Sequence, residues 1–330
     1  MGMKIDGHRH ILVPKAVELA SKLDPVRSTH IYPTGLNPRS LEINRERNPA
    51  WDRKMSDIEE NISDLNAAGM DLGVLQPTQT MLFYWAEPSA AGELCRMVNE
   101  HTAREVRKNA GKVVGLATVP LQDLDLAVRE ISYAVKDLGL RGVVTASNVN
   151  GRGFDEEAFQ PFFKAVEDLG VPIFIHPNNP AGTESTTNYY LTNFLGYTQE
   201  STMAAAKIVF GGVLDRFPNL KICLSHAGGT LPFLLGRLER GQAMRPEAGE
   251  LCRNPFPYYL KNFYVDTITY RADTLRFVLE VMPPGHVFMG TDYPYDMAET
   301  DPVGFVKAAV PDEGLREQIF EKNIAAVLGL

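Results

Sequence analysis

Near its N-terminus the chain reads Met3-Lys4-Ile5-Asp6-Gly7-His8-Arg9-His10, a short apolar run that is followed by two histidines. Alternate residues of a strand point to the same face, so His8 and His10 can bind one metal ion together. Three later apolar runs also end in a polar group. These runs are Ile173-Phe174-Ile175-His176, Ile222-Cys223-Leu224-Ser225-His226 and Val287-Phe288-Met289-Gly290-Thr291-Asp292. Chance rarely places such residues at the ends of several strands, so the sequence predicts a mononuclear metal site.

The apolar runs belong to a repeated alternation of strand and helix patterns. The predicted strands lie near 3–7, 71–76, 112–118, 141–146, 171–176, 220–226, 262–266 and 286–290. The predicted helices lie near 53–69, 89–109, 123–138, 156–169, 200–217, 231–241, 272–282 and 312–327. Such repeats over most of the length suit an α/β fold of the closed (β/α)₈ TIM barrel type better than an open sheet. We expect residues 1–330 to form one domain, with a lid insertion at 14–52 and a second insertion at 177–199.

The composition limits the partners that the protein can have. The chain has 330 residues, of which 44% are hydrophobic and 22% charged, as in ordinary soluble proteins. Its net charge of −8 argues against nucleic acid or an anionic membrane as the main partner. We find neither a signal-like segment nor an apolar run of about 20 residues, and so expect a cytoplasmic enzyme. The cysteines (Cys95, Cys223, Cys252) form no CxxC pair, which indicates neither a disulfide framework nor a thiolate zinc site.

The candidate metal ligands share one end of the predicted barrel. Active sites of TIM barrels lie at the C-terminal ends of the strands, where strands one, five, six and eight bring these residues. Three imidazoles, a carboxylate and a water suit Zn²⁺, with Mn²⁺ as an alternative. Strand four ends in Val143-Val144-Thr145-Ala146-Ser147, which offers neither a lysine for carbamylation nor an acidic bridge to a second metal. We therefore expect one ion.

The reaction also needs a proton acceptor beside the metal. We assign this role to His226, because Ala227-Gly228-Gly229 follows it and small residues let a substrate approach closely. Asp292 can bind the metal, orient the water, or do both, and the sequence leaves these alternatives open. We expect the remaining histidines to have structural roles. They are His30, His101 and His286.

Longer motifs point to a family. They are Lys4-Ile5-Asp6-x-His8-x-His10-Ile11-Leu12, Phe83-Tyr84-Trp85-Ala86-x-Pro88, Gly115-Leu116-Ala117-Thr118-Val119-Pro120, Ile175-His176-Pro177, Gly211-Gly212-Val213-x-x-Arg216-Phe217-Pro218, Ser225-His226-Ala227-Gly228-Gly229, Gly236-Arg237, Met244-Arg245-Pro246 and Gly290-Thr291-Asp292-Tyr293-Pro294. Over nearly its whole length the chain resembles the amidohydrolase superfamily. Within it, the Phe-Tyr-Trp-Ala and Met-Arg-Pro segments are similar to the subgroup of α-amino-β-carboxymuconate-ε-semialdehyde decarboxylase (amidohydrolase-related family 2).

The resemblance implies a divalent metal, usually zinc, held by His8, His10, His176 and Asp292. It makes His226 the acid/base that activates the metal-bound water, with Asp292 beside it. It also implies non-oxidative decarboxylation of an unsaturated, often ring-cleavage-derived carboxylate without an organic cofactor. The subgroup tends to form dimers, so the resemblance implies a homodimer.

The resemblance also indicates how the carboxylate substrate is held. Arginine suits this role because its planar guanidinium matches a carboxylate. Arg47 matches a lid arginine of the subgroup, with Arg45 as the competing alignment. Arg237 matches an arginine that some members bring to the site across a dimer interface. We expect three further residues to contact the substrate. They are Asn178, Trp85 and Tyr295.

Some positions differ from the subgroup. Asn178-Asn179 replaces an aromatic residue after the strand-five histidine, Asn193 stands at the position of a tryptophan, and Asn44 at that of a basic lid residue. The pocket is therefore more polar, and a related dicarboxylate or hydroxylated ring-cleavage product fits as well as the family substrate. The same ligands could also serve a hydrolase or hydratase acting on a related dicarboxylate or lactone. A metal-binding protein without activity is the third hypothesis, against which His226 and Asp292 argue.

Overall fold

Eight parallel strands form the centre of the part of the chain that the computed structural model describes, residues 2–28, 37–178, 180 and 185–330. The strands are β1 Ile5–Ile11, β2 Leu72–Pro77, β3 Val113–Gly115, β4 Val143–Thr145, β5 Ile173–Ile175, β6 Ile222–Leu224, β7 Phe263–Asp266 and β8 Val287–Phe288. Seven of them coincide with the predicted strands or lie within a residue of them, because they are continuous apolar runs buried on both faces. His30 and Asn179 lie outside the described residues.

Helices cover the outside of the strands. In the described ranges they are α1 Pro14–Leu23, α2 Pro38–Ser56, α3 Ile58–Ala67, α4 Pro88–Lys108, α5 Leu124–Lys136, α6 Gln160–Leu169, α7 Thr198–Phe210, α8 Val213–Arg216, α9 Leu231–Met244, α10 Pro246–Gly249, α11 Ala272–Val281, α12 Pro302–Ala309, α13 Glu313–Glu317 and α14 Asn323–Leu328. A π-helical segment, Thr192–Tyr197, leads into α7. None of the helices seen in these ranges has both the length and the apolar character needed to cross a bilayer.

The strands close into a barrel through two seams. Regular pairing runs from β1 to β3 and from β4 to β8. At the first seam Ala117, just after β3, pairs with Val143 of β4. At the second seam Arg9 of β1 pairs with Tyr293, just after β8, and the His10 N–H donates to the Tyr293 carbonyl at 3.0 Å. The α/β fold is therefore the TIM barrel that the sequence predicts.

The first strand is longer than the sequence predicts. β1 runs to Ile11 rather than ending near residue 7, because it stays paired with β2 as far as the Ile11–Pro77 register. An irregularity between Asp6 and Arg9 adds one residue to β1 relative to β2. His8 and His10 consequently lie inside the strand, where the backbone is held by pairing on both sides.

The segment after β1 is also more ordered than a lid loop would be. Its described residues form α1 and α2, which the sequence did not predict, and the helix predicted at 53–69 is divided at Asp57. The Asp57 carboxylate accepts the Glu60 N–H at 3.0 Å and so starts α3. Whether 14–52 and 177–199 act as lids stays a prediction.

Candidate metal centre and substrate cavity

The predicted site residues meet at the C-terminal end of the barrel. His8 and His10 come from β1, His176 follows β5 directly, and His226 and Asp292 lie two and four residues beyond β6 and β8. One donor atom from each of His8, His176, His226 and Asp292 lies within 4.8 Å of the others. His10 adjoins this group, with its ring centroid 5.2 Å from that of His8.

Asp292 is at the centre of the cluster. Its Oδ1 atom is 2.9 Å from His10 Nε2 and 3.5 Å from His8 Nε2, and its Oδ2 atom is 3.5 Å from His226 Nε2. Burial alone would raise the pKa of this carboxyl, but hydrogen bonds from His10, His176 and His226 hold the pKa well below its usual range. Asp292 is therefore a carboxylate at neutral pH.

Two of the imidazoles are held in the neutral form that metal ligands require. Burial lowers the pKa of His10 to about 4 and that of His176 to about 3. His8 differs, because its hydrogen bond to Asp266 and the nearby carboxylates outweigh the effect of burial and raise its pKa. A carboxylate among imidazoles, two of which are held neutral, matches the charge and donor types of a site for a divalent metal ion.

Sequence reasoning missed Asp266, the last residue of β7. Its Oδ2 atom is 2.8 Å from His8 Nδ1, and both side chains are fully buried. When Nδ1 donates to this carboxylate, Nε2 keeps its lone pair and faces the cluster, as in many carboxylate–histidine–metal sites. The same criterion of a polar residue ending an apolar strand, applied to Phe263-Tyr264-Val265-Asp266, would have found it.

The backbone around the cluster is unusual. His226, Ala227 and Asp292 have φ of 55°, 54° and 64°, in the left-handed region that costs non-glycine residues on the order of 1 kcal/mol each. At Gly290 a Cβ atom would lie 2.9 Å from His8 Cβ and 3.0 Å from Asp266 Cβ. Only glycine fits there, so Gly290 allows β1, β7 and the Asp292 loop to approach each other.

The donor atoms fit a metal ion. Among the described residues, His8 Nε2 is a buried ring nitrogen of the cluster without a hydrogen-bond partner, whereas His10 and His226 present their Nε2 atoms to Asp292. Leaving such atoms unpaired is unfavourable unless another ligand satisfies them. His8 Nε2 faces Asp292 Oδ1, where a cation would satisfy both. The roles of the individual ligands stay predictions, and His226 is close enough to Asp292 to compete with His10 as a ligand.

A cavity of about 610 Å³ opens onto the cluster and is lined by His176, His226 and Asp292. Its other walls include seven aromatic rings and six side-chain amides. The rings are Trp51, Phe83, Tyr84, Trp85, Tyr190, Tyr197 and Tyr295, and the amides are Asn44, Gln79, Asn148, Asn150, Asn178 and Asn193. This lining suits a flat, conjugated and polar molecule.

Three predicted substrate contacts, Trp85, Asn178 and Tyr295, line the cavity. The Tyr295 ring lies 5.2 Å from that of His10, and its hydroxyl donates to Gln79 Oε1 at 3.1 Å. Gln79 also lies 2.9 Å from the His176 ring nitrogens. Tyr295 therefore contacts the ligand cluster, through His10 and Gln79, and also lines the cavity.

The predicted arginines lie elsewhere in the single chain. Arg47 is about half exposed and pairs with Asp296, and neither Arg47 nor the exposed Arg45 is part of the cavity lining. Arg237 is exposed on α9 and also does not line it. Arg27 and Lys207 are the cationic side chains that the described lining contains instead.

Sequence reasoning also missed a carboxylate in the cavity wall. Glu200, on α7, is buried, and its Oε2 atom accepts from Ser147 Oγ at 2.9 Å and from Asn148 Nδ2 at 3.2 Å. Glu200, Ala204 and Lys207 all line the cavity, at a spacing that places them on one helix face. The sequence offered a weak signal in the polar Ser147-Asn148 pair after strand four.

Comparison with known proteins identifies the family. The amidohydrolase family model matches residues 5–330. The chain is 34% identical over 279 residues to 2-amino-3-carboxymuconate-6-semialdehyde decarboxylase of Dictyostelium discoideum, covering 83% of this chain and 77% of that protein. The structure resembles that of 5-carboxyvanillate decarboxylase from Sphingomonas paucimobilis, with a TM-score of 0.88 and 26% identity over 99% of both chains.

A second solved structure supports the fold alone. A dihydroxybenzoic acid decarboxylase from Polaromonas, solved with bound manganese and the inhibitor 2-nitroresorcinol, has a TM-score of 0.83 at 22% identity and covers 100% of this chain and 98% of its own. These comparisons confirm the resemblance that the motifs indicate. The chain belongs to the amidohydrolase family, within the group of decarboxylases that includes 2-amino-3-carboxymuconate-6-semialdehyde decarboxylase.

Proposed function

We propose that the protein is a metal-dependent carboxy-lyase that removes carbon dioxide, without net oxidation, from an aromatic or similarly conjugated carboxylate. The observation that carries this proposal is the placement of His226 Nε2, 3.5 Å from Asp292 Oδ2, at the wall of an aromatic cavity. An acid/base group, a cluster of ligand atoms and a flat binding space are thereby adjacent. The decarboxylases similar to this chain support the same reaction.

His8, His10, His176 and Asp292 would hold the metal. We propose zinc, because three imidazoles and one carboxylate suit it, with manganese as the alternative. When bound, the ion would hold oxygen atoms of the substrate and draw electron density from the conjugated system. The short stretch Val143–Thr145 ends without a carboxylate or lysine, which supports a single ion.

His226 then acts on the substrate carbon. In the protonated form it delivers a proton to the carbon that bears the carboxylate, and a new C–H bond forms. The C–C bond to the carboxylate breaks next, carbon dioxide leaves, and the bonding electrons return to the conjugated system. Asp292 stabilises the charged imidazole, and a proton from solvent restores it. Carbon, charge and electrons balance without an oxidant or an organic cofactor.

The cavity supports a substrate that carries polar groups besides the leaving carboxylate. Arg27 and Lys207 can neutralise an anionic group, while the buried Glu200 favours a hydrogen-bond donor such as a hydroxyl or an amine. The aromatic walls favour a planar ring or a conjugated chain. We propose a hydroxylated or amino-substituted carboxylate of this kind as the substrate class.

The test is carbon dioxide release by the purified protein. A panel would include hydroxybenzoates, 5-carboxyvanillate and muconate semialdehydes, each with a matched analogue that lacks the carboxylate. We expect headspace carbon dioxide and a decarboxylated product from at least one of them, and no release after chelation. Turnover of a dicarboxylate or lactone without carbon dioxide would instead establish the hydrolase or hydratase.

We also propose a homodimer that uses α9 and its surroundings. Phe233 is 79% exposed on α9, and Phe194 and Phe277 are also exposed. The three phenylalanines line a second cavity, whose wall also includes His226. Exposed aromatic patches of this kind are typical of interfaces. A dimer would bury Phe233 and place Arg237 at the contact, so light scattering should give twice the chain mass, and Phe233→Lys should give monomers.

Two further proposals concern the whole chain. Residues 1–330 form one domain, which a single cooperative unfolding transition would support. The cellular location is the cytoplasm, because Cys95, Cys223 and Cys252 are buried free thiols, as expected in a reducing compartment.

A further inference from the structure

The Asp266 carboxylate accepts hydrogen bonds from four N–H groups. They belong to β1, to the turn at His226 and Ala227, and to the segment just after β7. Its Oδ2 atom accepts from His8 Nδ1 at 2.8 Å and from the His226 backbone N–H at 2.9 Å. Its Oδ1 atom accepts from the backbone N–H groups of Ala227 at 2.8 Å and Ile268 at 3.0 Å. The side chain is fully buried, so no bulk water competes for these bonds.

We propose that Asp266 is a positioning residue that links metal binding by His8 to proton transfer by His226. One oxygen atom, Oδ2, is shared by the imidazole of His8 and the backbone of His226. The half of the proposal that concerns the rate rests on the proposed function, whereas the half that concerns metal binding does not.

The first part of the link acts on His8. Donation from Nδ1 fixes the ring orientation and leaves the Nε2 lone pair for a metal. Without a carboxylate at this place, the other tautomer would put a hydrogen on Nε2, pointing at Asp292 Oδ1, 3.5 Å away. His8 would then compete with the ion for that oxygen.

The second part acts on His226. His226 and Ala227 both adopt left-handed backbone conformations, with φ of 55° and 54°, which an isolated chain rarely populates. The two hydrogen bonds from their N–H groups to Asp266 hold this turn in place. The turn directs the His226 ring so that Nε2 lies 3.5 Å from Asp292 Oδ2.

The four donors require a carboxylate rather than an amide. Asparagine has one acceptor oxygen, so its NH₂ group would meet either the N–H pair of Ala227 and Ile268 or the pair of His8 and His226. In the first case the turn loses the hydrogen bond from Ala227, and in the second case His8 and His226 both lose their hydrogen bonds. The variant Asp266→Asn therefore cannot preserve the whole arrangement.

The experiment compares wild type, Asp266→Asn, Asp266→Glu and a matched control, Glu130→Gln. Glu130 is also a buried carboxylate with several donors, Arg96 and Asn99, but it lies outside the cavity lining. Zinc affinity is measured by competition with a chelator, and amide exchange of the segment 225–230 by mass spectrometry. Values of kcat and KM are measured with saturating zinc on the best carboxylate of the panel.

For Asp266→Asn we expect roughly 10- to 100-fold weaker zinc binding, faster exchange at His226 and Ala227, and kcat at least about tenfold lower with zinc saturated. KM should change much less than kcat. Asp266→Glu keeps the acceptors but displaces them, so it should fold and still lose kcat. Glu130→Gln should match wild type in zinc affinity, in exchange of 225–230 and in kcat.

Wild-type zinc affinity in Asp266→Asn would overturn the proposal, as would a wild-type kcat in either Asp266 variant when zinc is saturating. Equal losses in Glu130→Gln would also overturn it, because the effect would then be general to buried carboxylates. If wild type turned over no carboxylate, the proposed function would fail, while zinc affinity and amide exchange would still decide the role of Asp266.

Discussion

Arg9 donates to Asp6 across 2.9 Å in an ion pair whose side chains are 1% and 0% exposed. The Asp6 carboxylate also accepts from the Thr291 backbone at 3.0 Å and from its hydroxyl at 2.6 Å, one residue before Asp292. Arg9 in turn donates to Asn61 and stacks on Tyr293, with 3.9 Å from Cζ to the ring centroid. The pair therefore joins β1 and α3 to the loop that carries Asp292.

Arg9→Met should strongly destabilise the protein. It leaves the Asp6 carboxylate buried without its cation, and breaking a buried ion pair in this way costs about 3–5 kcal/mol. Urea unfolding followed by circular dichroism would measure the loss. Arg39→Met is the matched control, because Arg39 and Glu42 have the same sequence separation but are well exposed. Equal losses of stability from the two substitutions would show that burial of the Arg9–Asp6 pair does not increase its contribution to stability.

His226→Ala should retain the metal and lose most of its activity. Removal of a general acid/base typically lowers the rate about 10²–10⁴-fold. Metal content by atomic spectrometry and initial rates of carbon dioxide release would test this. Unchanged turnover would remove His226 from the mechanism. Loss of the metal together with activity would instead make His226 a ligand, which its distance to Asp292 permits.

Asp292→Asn should lose both metal and activity. The side chain lies within 4.0 Å of all four clustered histidines, and an amide would remove the negative charge that a divalent ion needs there. Metal content after dialysis against a fixed zinc concentration is the measurement. Asp296→Asn, at the rim of the same cavity, should keep its metal. Normal metal content in Asp292→Asn would exclude Asp292 as a ligand.

Fully loaded protein should contain one divalent ion per chain. Exhaustive chelation should abolish carbon dioxide release, and stoichiometric zinc or manganese should restore it. The number of metal ions per chain is obtained by measuring the metal by plasma emission spectrometry and dividing by the protein concentration. Two ions per chain would contradict the interpretation of the strand that ends at Thr145, and full activity after chelation would exclude a metal mechanism.

The metal-free protein should become less stable as the pH falls from about 6.5 to 4. The pKa of His10 is about 4 in the folded state and 6.5 without the fold. Between these values the unfolded chain binds a proton that the folded chain does not, so the free energy of unfolding decreases with falling pH, by up to ~1.4 kcal/mol per pH unit.

His176, with a pKa of about 3, acts in the same direction, whereas the raised pKa of His8 changes stability mainly above pH 6.5, where stability falls as the pH rises. Thermal unfolding of chelator-treated protein across this pH range measures the combined effect of these histidines on stability. His10→Gln should reduce the slope relative to wild type. An equal slope in the two proteins would mean that His10 is not held neutral by the fold.

The sequence was sufficient to predict the barrel because its strands are buried on both sides. A run such as Ile173-Phe174-Ile175 has no polar position to confuse the pattern, and the polar residue that follows it marks the C-terminal end. The five predicted cluster residues could be found in this way, because the C-terminal ends of all strands lie at the same end of a parallel barrel.

The missed residues depend on tertiary packing that leaves little trace in the local pattern. Lys207 and Glu200 belong to a helix whose cavity face could be recognised only when the position of the helix was known. Arg27 lies between two helices that the sequence did not predict, because the stretch 14–52 is rich in proline, arginine and asparagine and was interpreted as a lid insertion. Arg47 was predicted from a motif, and its pairing with Asp296 depends on a loop almost 250 residues away.

The seam between Arg9 and Tyr293 has a consequence for how the ends of the chain stay together. His8 and His10 stand on one side of this junction and Asp292 on the other, so an ion bound to all three would fasten the first strand to the last. Metal loading should then protect the N-terminal strand and the segment after β8 from proteolysis to the same degree. Removing the ion would weaken the closure of the whole cylinder, in addition to stopping the chemistry at its rim.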